Sequence, residues 1–295
     1  MIASGAVPAR RAAPDPIDQL LALDPGGRGI GPLVRAGAAV AAARALRRAR
    51  RALVVTGFAV GPDMPETDGP PGAAVLGRAL RLLGARVTYA TDHVNAPVLG
   101  AALETLGEPR RIVIYPHDGN AARAVLAAER PTHLIAIERP GRNRAGDYLS
   151  MRGESVAAWN APLDDLFVTA SGATTIGIGD GGNEIGMGAA RPRVARLGPR
   201  FARIASVVPV DHLVVAGVSN WGGYGVVAAL SRLSGRDLLH TPELERRLVE
   251  ACVAAGAADG VTRRREATVD GLSLATHAAI VELLRLAARS GIIRP

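Results

Sequence analysis

The chain has 295 residues, enough for one large α/β domain with a full-sized core, and a formal charge of +8 from 35 basic and 27 acidic residues. It contains no Lys, so every basic side chain is Arg; this excludes a Schiff-base lysine, pyridoxal-phosphate catalysis and a Walker-type phosphate loop. Residues 1–51 hold nine Arg against three Asp, while the rest hold 26 Arg against 24 acids, and only 3% of residues are aromatic; a nearly neutral body with little to stack bases argues against a nucleic-acid partner.

Residues 1–16 are Arg-bearing and lack the apolar core of a secretory signal. They read as a tail, with a transit peptide as the alternative, and a cytoplasmic enzyme is the default expectation. The N-terminal Arg surplus reads as structural or compositional. Residues 1–29 are expected to form a tail and a short helix, and residues 30–295 a single α/β catalytic domain. The short helix is predicted over Pro16–Asp24 with Asp15 as its cap. A second is predicted over Leu33–Arg50, where Arg44, Arg47, Arg48 and Arg50 complement the helix dipole.

From there apolar β-rich runs alternate with helix-length stretches. Strands are predicted at Ala52–Thr56, Val87–Ala90, Ile112–Tyr115, Leu134–Ile137, Thr175–Ile178 and Leu213–Ala216. Helices are predicted at Gly72–Leu83, Ala96–Leu106, Asn120–Ala128, Leu163–Ala170, Val226–Leu233, Pro242–Ala255 and Leu274–Arg289. The pattern implies an α/β fold: a mostly parallel sheet of about six or more strands with helices on both faces. The single cysteine, Cys252, falls in a predicted helix and reads as a buried thiol. No apolar run reaches the ~18 residues that would span a bilayer, so no membrane partner is expected.

Ligands of open parallel sheets gather beyond the carboxyl ends of the strands. After the first strand, Thr56 and Gly57 lead into a loop with Glu66 and Asp68, whose carboxylates can ligate a divalent cation or hold an ammonium group. After the second come Asp92 and His93, a site acid or helix cap and a candidate base. After the fourth, Arg139, Arg142, Asn143 and Arg152 suit carboxylate recognition, because guanidinium groups bind carboxylates through paired hydrogen bonds. The fifth strand runs into GIGDGGNEIGMG, residues 177–188. Its glycines, Gly181 and Gly182 among them, can form a nest of N–H groups for an anion, while Asp180, Asn183 and Glu184 can handle a proton or a cation. After the sixth, Ser219 and Asn220 open a helix, another anion-binding geometry. Near the C-terminus, polar turns carry Asp259 and Asp270.

Taken together, the segments ETDGPPGA (66–73), IERPGRN (137–143), GIGDGGNEIGMG, GVSNWGGYG (217–225) and the DGVT and TVDGL turns resemble the D-glutamate cyclase family, over roughly residues 30–290. The resemblance implies a hydro-lyase that turns D-glutamate into 5-oxo-D-proline and water, with a small acidic amino acid as partner. The residues fit such a reaction as follows. Asp180, Glu184 and Asn183 are the candidate catalytic groups. Arg139, Arg142, Asn143, Arg152, Gly181, Gly182, Ser219, Asn220, Thr56, Gly57 and Asp270 are the candidate substrate-binding groups. Glu66, Asp68 and Asp180 are candidate ligands of Mn²⁺ or Mg²⁺, and no organic cofactor is expected. A homo-oligomer is compatible with the sequence. The alternatives are a non-catalytic module binding acidic amino acids and a metal-dependent hydrolase.

Overall fold

A computed structural model describes residues 15–118 and 120–289. Six strands form one parallel sheet: β1 (Arg51–Thr56), β2 (Arg86–Thr91), β3 (Ile112–Ile114), β4 (His133–Ile137), β5 (Thr174–Gly179) and β6 (His212–Val215). Their spatial order is β3-β2-β1-β4-β5-β6, so the chain reverses direction across the sheet between β1 and β4. Side chains along each strand alternate between two cores. Val54, Ile135, Ile137, Ile176 and Ile178 face the larger one. Leu53, Val55, Leu134 and Ala136 face the smaller one, with Leu166 and Phe167.

The larger core is closed by α1 (Pro16–Leu21), α2 (Ala38–Leu46), α3 (Pro70–Leu82), α4 (Ala96–Thr105), α9 (Ser219–Ser234), α10 (Pro242–Ala254) and α11 (Leu274–Arg289). The opposite face is covered by the shorter α5 (Ala122–Glu129) and α6 (Asp165–Thr169). Two short helices, α7 (Arg191–Ala195) and α8 (Pro199–Ile204), follow the glycine-rich loop. A two-stranded antiparallel turn, β7 (Thr268–Val269) and β8 (Leu272–Ser273), precedes α11. None of the described helices is long and apolar enough to cross a membrane. Cys252 is buried in the larger core, as expected, and burial pushes its thiol pKa up.

Asp15 caps α1 by accepting the Ile17 N–H at 3.0 Å, as the sequence predicts. Ile17 and Leu21 are fully buried in the larger core. Helix α1, within the expected N-terminal segment 1–29, thus packs on the same core as the helices that follow it. Residues 1–14 of the expected tail lie outside the described residues.

Helix α9 begins at Ser219, not at the predicted Val226. Its first turns contain Gly222, Gly223 and Gly225, which propensity alone disfavours by about 1 kcal/mol each. Packing reverses that preference. A Cβ on Gly223 would lie 3.2 Å from the Gly72 carbonyl oxygen and one on Gly222 would lie 2.5 Å from the Ile178 side chain. The glycines let α9 press against α3 and the sheet, which places its N-terminus over the carboxyl ends of the central strands.

Candidate functional site

The loops after β1, β4 and β5, the first turn of α9 and the β7–β8 turn converge beyond the carboxyl ends of the central strands. Glu66, Asp68, Glu138, Asp180 and Asp270 meet there around a single guanidinium, that of Arg28. Arg28 pairs with Asp180 and, at 2.5 Å, with Asp270. Its loop is held from behind by Asp24, which accepts the backbone N–H groups of Arg28, Gly29 and Ile30.

Each acid has its own support. Asp68 lies at the N-terminus of α9 and accepts N–H from Ser219 at 2.9 Å and from Asn220 at 2.7 Å. The Asn220 amide oxygen accepts the N–H groups of Gly69 and Gly72, so it pins the loop that carries Asp68. Glu138 accepts the Ser219 hydroxyl. Its backbone has φ +41°, a strained conformation for glutamate, at the end of central strand β4. Asp270 also has positive φ, at +56°. The segment 65–67 is tied to the C-terminal turn by Thr67 N–H to Ala258 O and Ala258 N–H to Pro65 O. Gly260 packs directly against Glu66: a Cβ there would lie 2.0 Å from the carboxylate oxygen and would displace that side chain.

The group floors a cleft of about 370 Å³, the size of a small-ligand pocket. Glu66, Glu138, Asp180, Asp270 and Asn183 line it together with Arg28; the exposed Arg152 and Arg200 and the half-buried Arg263 line it toward solvent, at its mouth. Burial, reinforced by neighbouring acids, pushes the carboxyl pKa values of Glu66 and Glu138 well up. Asp180 is also raised by burial, with Arg28 opposing and Asp270 adding to the shift. Asp68 is pushed up to about 8, chiefly by burial and then by Asp270, against the pull of its N–H donors. Burial works against the charge of Arg28, but Asp180, Asp270 and Glu138 outweigh it and hold its pKa well above the ordinary value. Packed carboxyl groups outnumbering their one cation hold protons above the ordinary carboxyl range.

The profile of the family described as D-glutamate cyclase-like, C-terminal, matches residues 17–285. The chain belongs to this family. It is 36% identical over 233 residues to the Homo sapiens protein named D-glutamate cyclase, mitochondrial. That alignment covers 72% of this chain and 38% of the relative, so the chain spans well under half of the human protein's length. Among solved structures it is similar to an exopolyphosphatase-related protein from Bacteroides fragilis, with a TM-score of 0.43 and 11% identity over 88% of this chain and 62% of that one. It is also similar to exonuclease RecJ bound to manganese, with a TM-score of 0.40 and 14% identity over 86% of this chain and 55% of that one.

In this member of the D-glutamate cyclase-like family, the expected site residues separate into two sets. Asp180, Asn183, Glu66, Arg152 and Asp270 line the cleft. Asp68, Ser219 and Asn220 lie directly beneath it through the contacts above. Thr56 is fully buried at the end of β1, with its hydroxyl oxygen unpartnered.

The other set holds the scaffold. Glu184 was expected in a catalytic role, but its carboxylate accepts the N–H groups of Asp180, Gly181 and Gly182 at 3.0, 2.5 and 2.7 Å. The glycine-rich nest expected to receive an external anion is thus filled by its own glutamate. Arg139 was expected to bind a carboxylate of the substrate. It is fully buried away from the cleft and donates to Asp92 at 2.7 Å and to the carbonyls of Gly57 and Ala161. Asp92 is thereby an internal partner, and its pKa is lowered, with Arg139 overcoming burial. Arg142 is taken by Asp164 and Asp165. Asn143 holds its own loop, accepting N–H from Ala145 and Asp147. Asp259 accepts the N–H groups of Val261, Thr262 and Gly271 and closes the C-terminal turn. His93 is remote from the cleft.

Sequence reasoning left Arg28 and Glu138 out of the site. Arg28 was hidden in an Arg-rich segment; the Asp24-Pro-Gly-Gly-Arg turn around it was the available signal. Glu138 directly follows an apolar strand, the position where ligands gather, and that position was the available signal.

Proposed function

We propose that the chain is a hydro-lyase that cyclises D-glutamate to 5-oxo-D-proline. The observation that carries this reading is the set of carboxyl groups, buried Glu66, Asp68, Glu138 and Asp180 with half-buried Asp270, gathered around one arginine on the floor of a small cleft. The preference for the D-enantiomer rests on the named relative alone.

The reaction joins the α-nitrogen to the γ-carboxyl carbon and breaks a C–O bond. The ammonium nitrogen loses two protons, and both leave with the departing oxygen as water, so no proton is consumed overall. Such a reaction needs groups that accept and donate protons at the same pH. Buried carboxyls sharing protons meet both needs. Glu138 and Asp180 face the cleft and are the groups assigned to this transfer; Ser219 holds the Glu138 carboxyl in place. The cleft also confines the substrate in a folded conformation, because extended glutamate cannot bring its ends together.

A divalent cation fits the same floor. Asp68, Glu138 and Asp180 each offer an oxygen, all within 4.8 Å of one another, and three carboxylates suit a hard cation such as Mg²⁺ or Mn²⁺. Glu138 takes the place that the sequence reading gave to Glu66. Bound there, the ion would polarise the γ-carboxyl group.

The test is incubation of the pure protein with D- and L-glutamate, with and without Mn²⁺ or Mg²⁺, followed by chiral chromatography of 5-oxoproline. Product from neither enantiomer sinks the cyclase reading; binding of glutamate without product makes the chain a binding module.

A further inference from the structure

The cleft is bipolar, with acids on its floor and arginines at its mouth. Of the mouth arginines, Arg263 is neutralised by an ion pair with Glu154. Arg152 donates to a neutral partner, the Val261 carbonyl, at 2.8 Å. Arg200 packs 5.2 Å above the Phe201 ring. Among the described residues neither Arg152 nor Arg200 has a carboxylate partner.

These two arginines come from elements that are fastened together. Arg203 of α8 donates to the Gly153 carbonyl, directly after Arg152, and the Asn143 amide donates to the Arg203 carbonyl at 3.2 Å. Gly153 has φ +81°, and a Cβ there would lie 2.5 Å from the Arg203 guanidinium. The loop bearing Arg152 and the helix bearing Arg200 are therefore held as a pair. Phe201, packed beside Arg200, also lines the cleft.

We infer that Arg152 and Arg200 form a clamp for the α-carboxylate of an acidic amino acid, holding it at the mouth while the ammonium and γ-carboxyl groups point to the acidic floor. This rests on the proposed cyclase reading for its substrate. The physics is independent of it: an anion entering this cleft meets two un-neutralised guanidinium groups outside, whereas the acids inside admit a carboxyl group only where a proton is shared with it. The clamp replaces Arg139 and Arg142, which internal acids already occupy. Asn183 adds an unpartnered, buried amide oxygen lining the same cleft, an acceptor for the ammonium group.

The test compares Arg152→Ala and Arg200→Ala with wild type, on D-glutamate and on its α-amide, D-isoglutamine, which lacks the α-carboxylate. Both side chains are exposed, so thermal melting should be unchanged. Each variant should raise KM for D-glutamate about tenfold with kcat largely kept, as for an interaction made equally in ground and transition states. Wild type should lose about tenfold or more in kcat/KM on the α-amide, and this penalty should vanish in the double variant. Wild-type KM and an unchanged amide penalty in the variants would overturn the clamp while leaving the cyclase reading intact. If wild type gives no product but calorimetry shows D-glutamate binding that weakens in the variants, the clamp stands and the cyclase reading falls. Neither binding nor product overturns both.

Discussion

One helix, α9, serves two buried polar regions of opposite design. At its N-terminus, carboxyl groups crowd around Arg28 with more acid than base. One turn further, Tyr224 donates to Glu245 at 2.8 Å, and His240 meets the same carboxylate at 2.8 Å. Nearby, Trp221 donates to His277 at 2.9 Å, and the other His277 ring nitrogen donates to the Val269 carbonyl. In this second region an acid lies among donors, and His240 followed by His277 lowers the Glu245 pKa despite complete burial. Burial alone therefore does not mark a site. A buried acid set among donors and away from a cleft holds helices together, even though one Glu245 carboxylate oxygen has no partner; acids crowded with other acids at a cleft are available for a proton, a cation or a substrate.

The comparison can be broken most sharply at Glu138. Glu138→Gln keeps shape and the Ser219 contact but removes the titrating group; kcat should fall about 10²- to 10⁴-fold while the melting temperature holds or rises. A large loss of Tm would place Glu138 with the structural acids. Glu245→Ala should do the reverse. Leaving Tyr224 and His240 without their acceptor should cost about 3–5 kcal/mol in denaturant titration, with kcat of the folded protein unchanged.

Arg28→Gln tests whether one guanidinium balances the floor. The destabilisation should reach about 3 kcal/mol at pH 8 and shrink toward pH 5, where protons replace the lost charge. An equal loss at both pH values would mean that the acids do not feel Arg28.

The smallest effect is the pH dependence of the wild type, where the two regions carry opposite signs. Glu66, Asp68, Glu138 and Asp180 have raised pKa values, so their contribution to stability is full below the ordinary carboxyl range and is lost as pH rises toward the Asp68 value of about 8. Glu245 has a lowered pKa, so its contribution is full above the ordinary value of 4.5 and is lost as acid protonates it. Melting curves should therefore show a decline of about 1 kcal/mol or more between pH 6 and pH 9, and Mn²⁺ or Mg²⁺ should flatten it. A flat alkaline limb without metal would count against an over-acidic floor.

Much of the fold was legible. All six strands of the main sheet were found within a residue or so, because parallel strands buried on both faces read as continuous apolar runs. The start of α9 was not, since its glycines signal a loop until the α3 contact is known. The site was half legible. Asp180, Asn183, Glu66 and Asp270 announced themselves by following strands or sitting in turns. Arg139 and Glu184 misled because sequence shows that a charged group is present, not which partner has already claimed it.

The sequence by itself excluded one class of chemistry: without lysine, a glycine-rich acidic loop cannot serve pyridoxal phosphate. It also determined the parallel sheet, and with it the edge where ligands gather. Only the tertiary structure decided which charges remain free to act. Arg28 travels from an Arg-rich N-terminal segment into the acid group, while Arg139 and Arg142 are consumed by Asp92, Asp164 and Asp165. The reason is physical: a charge acts on a ligand only after its nearest partners are counted, and those partners come from residues distant in the chain.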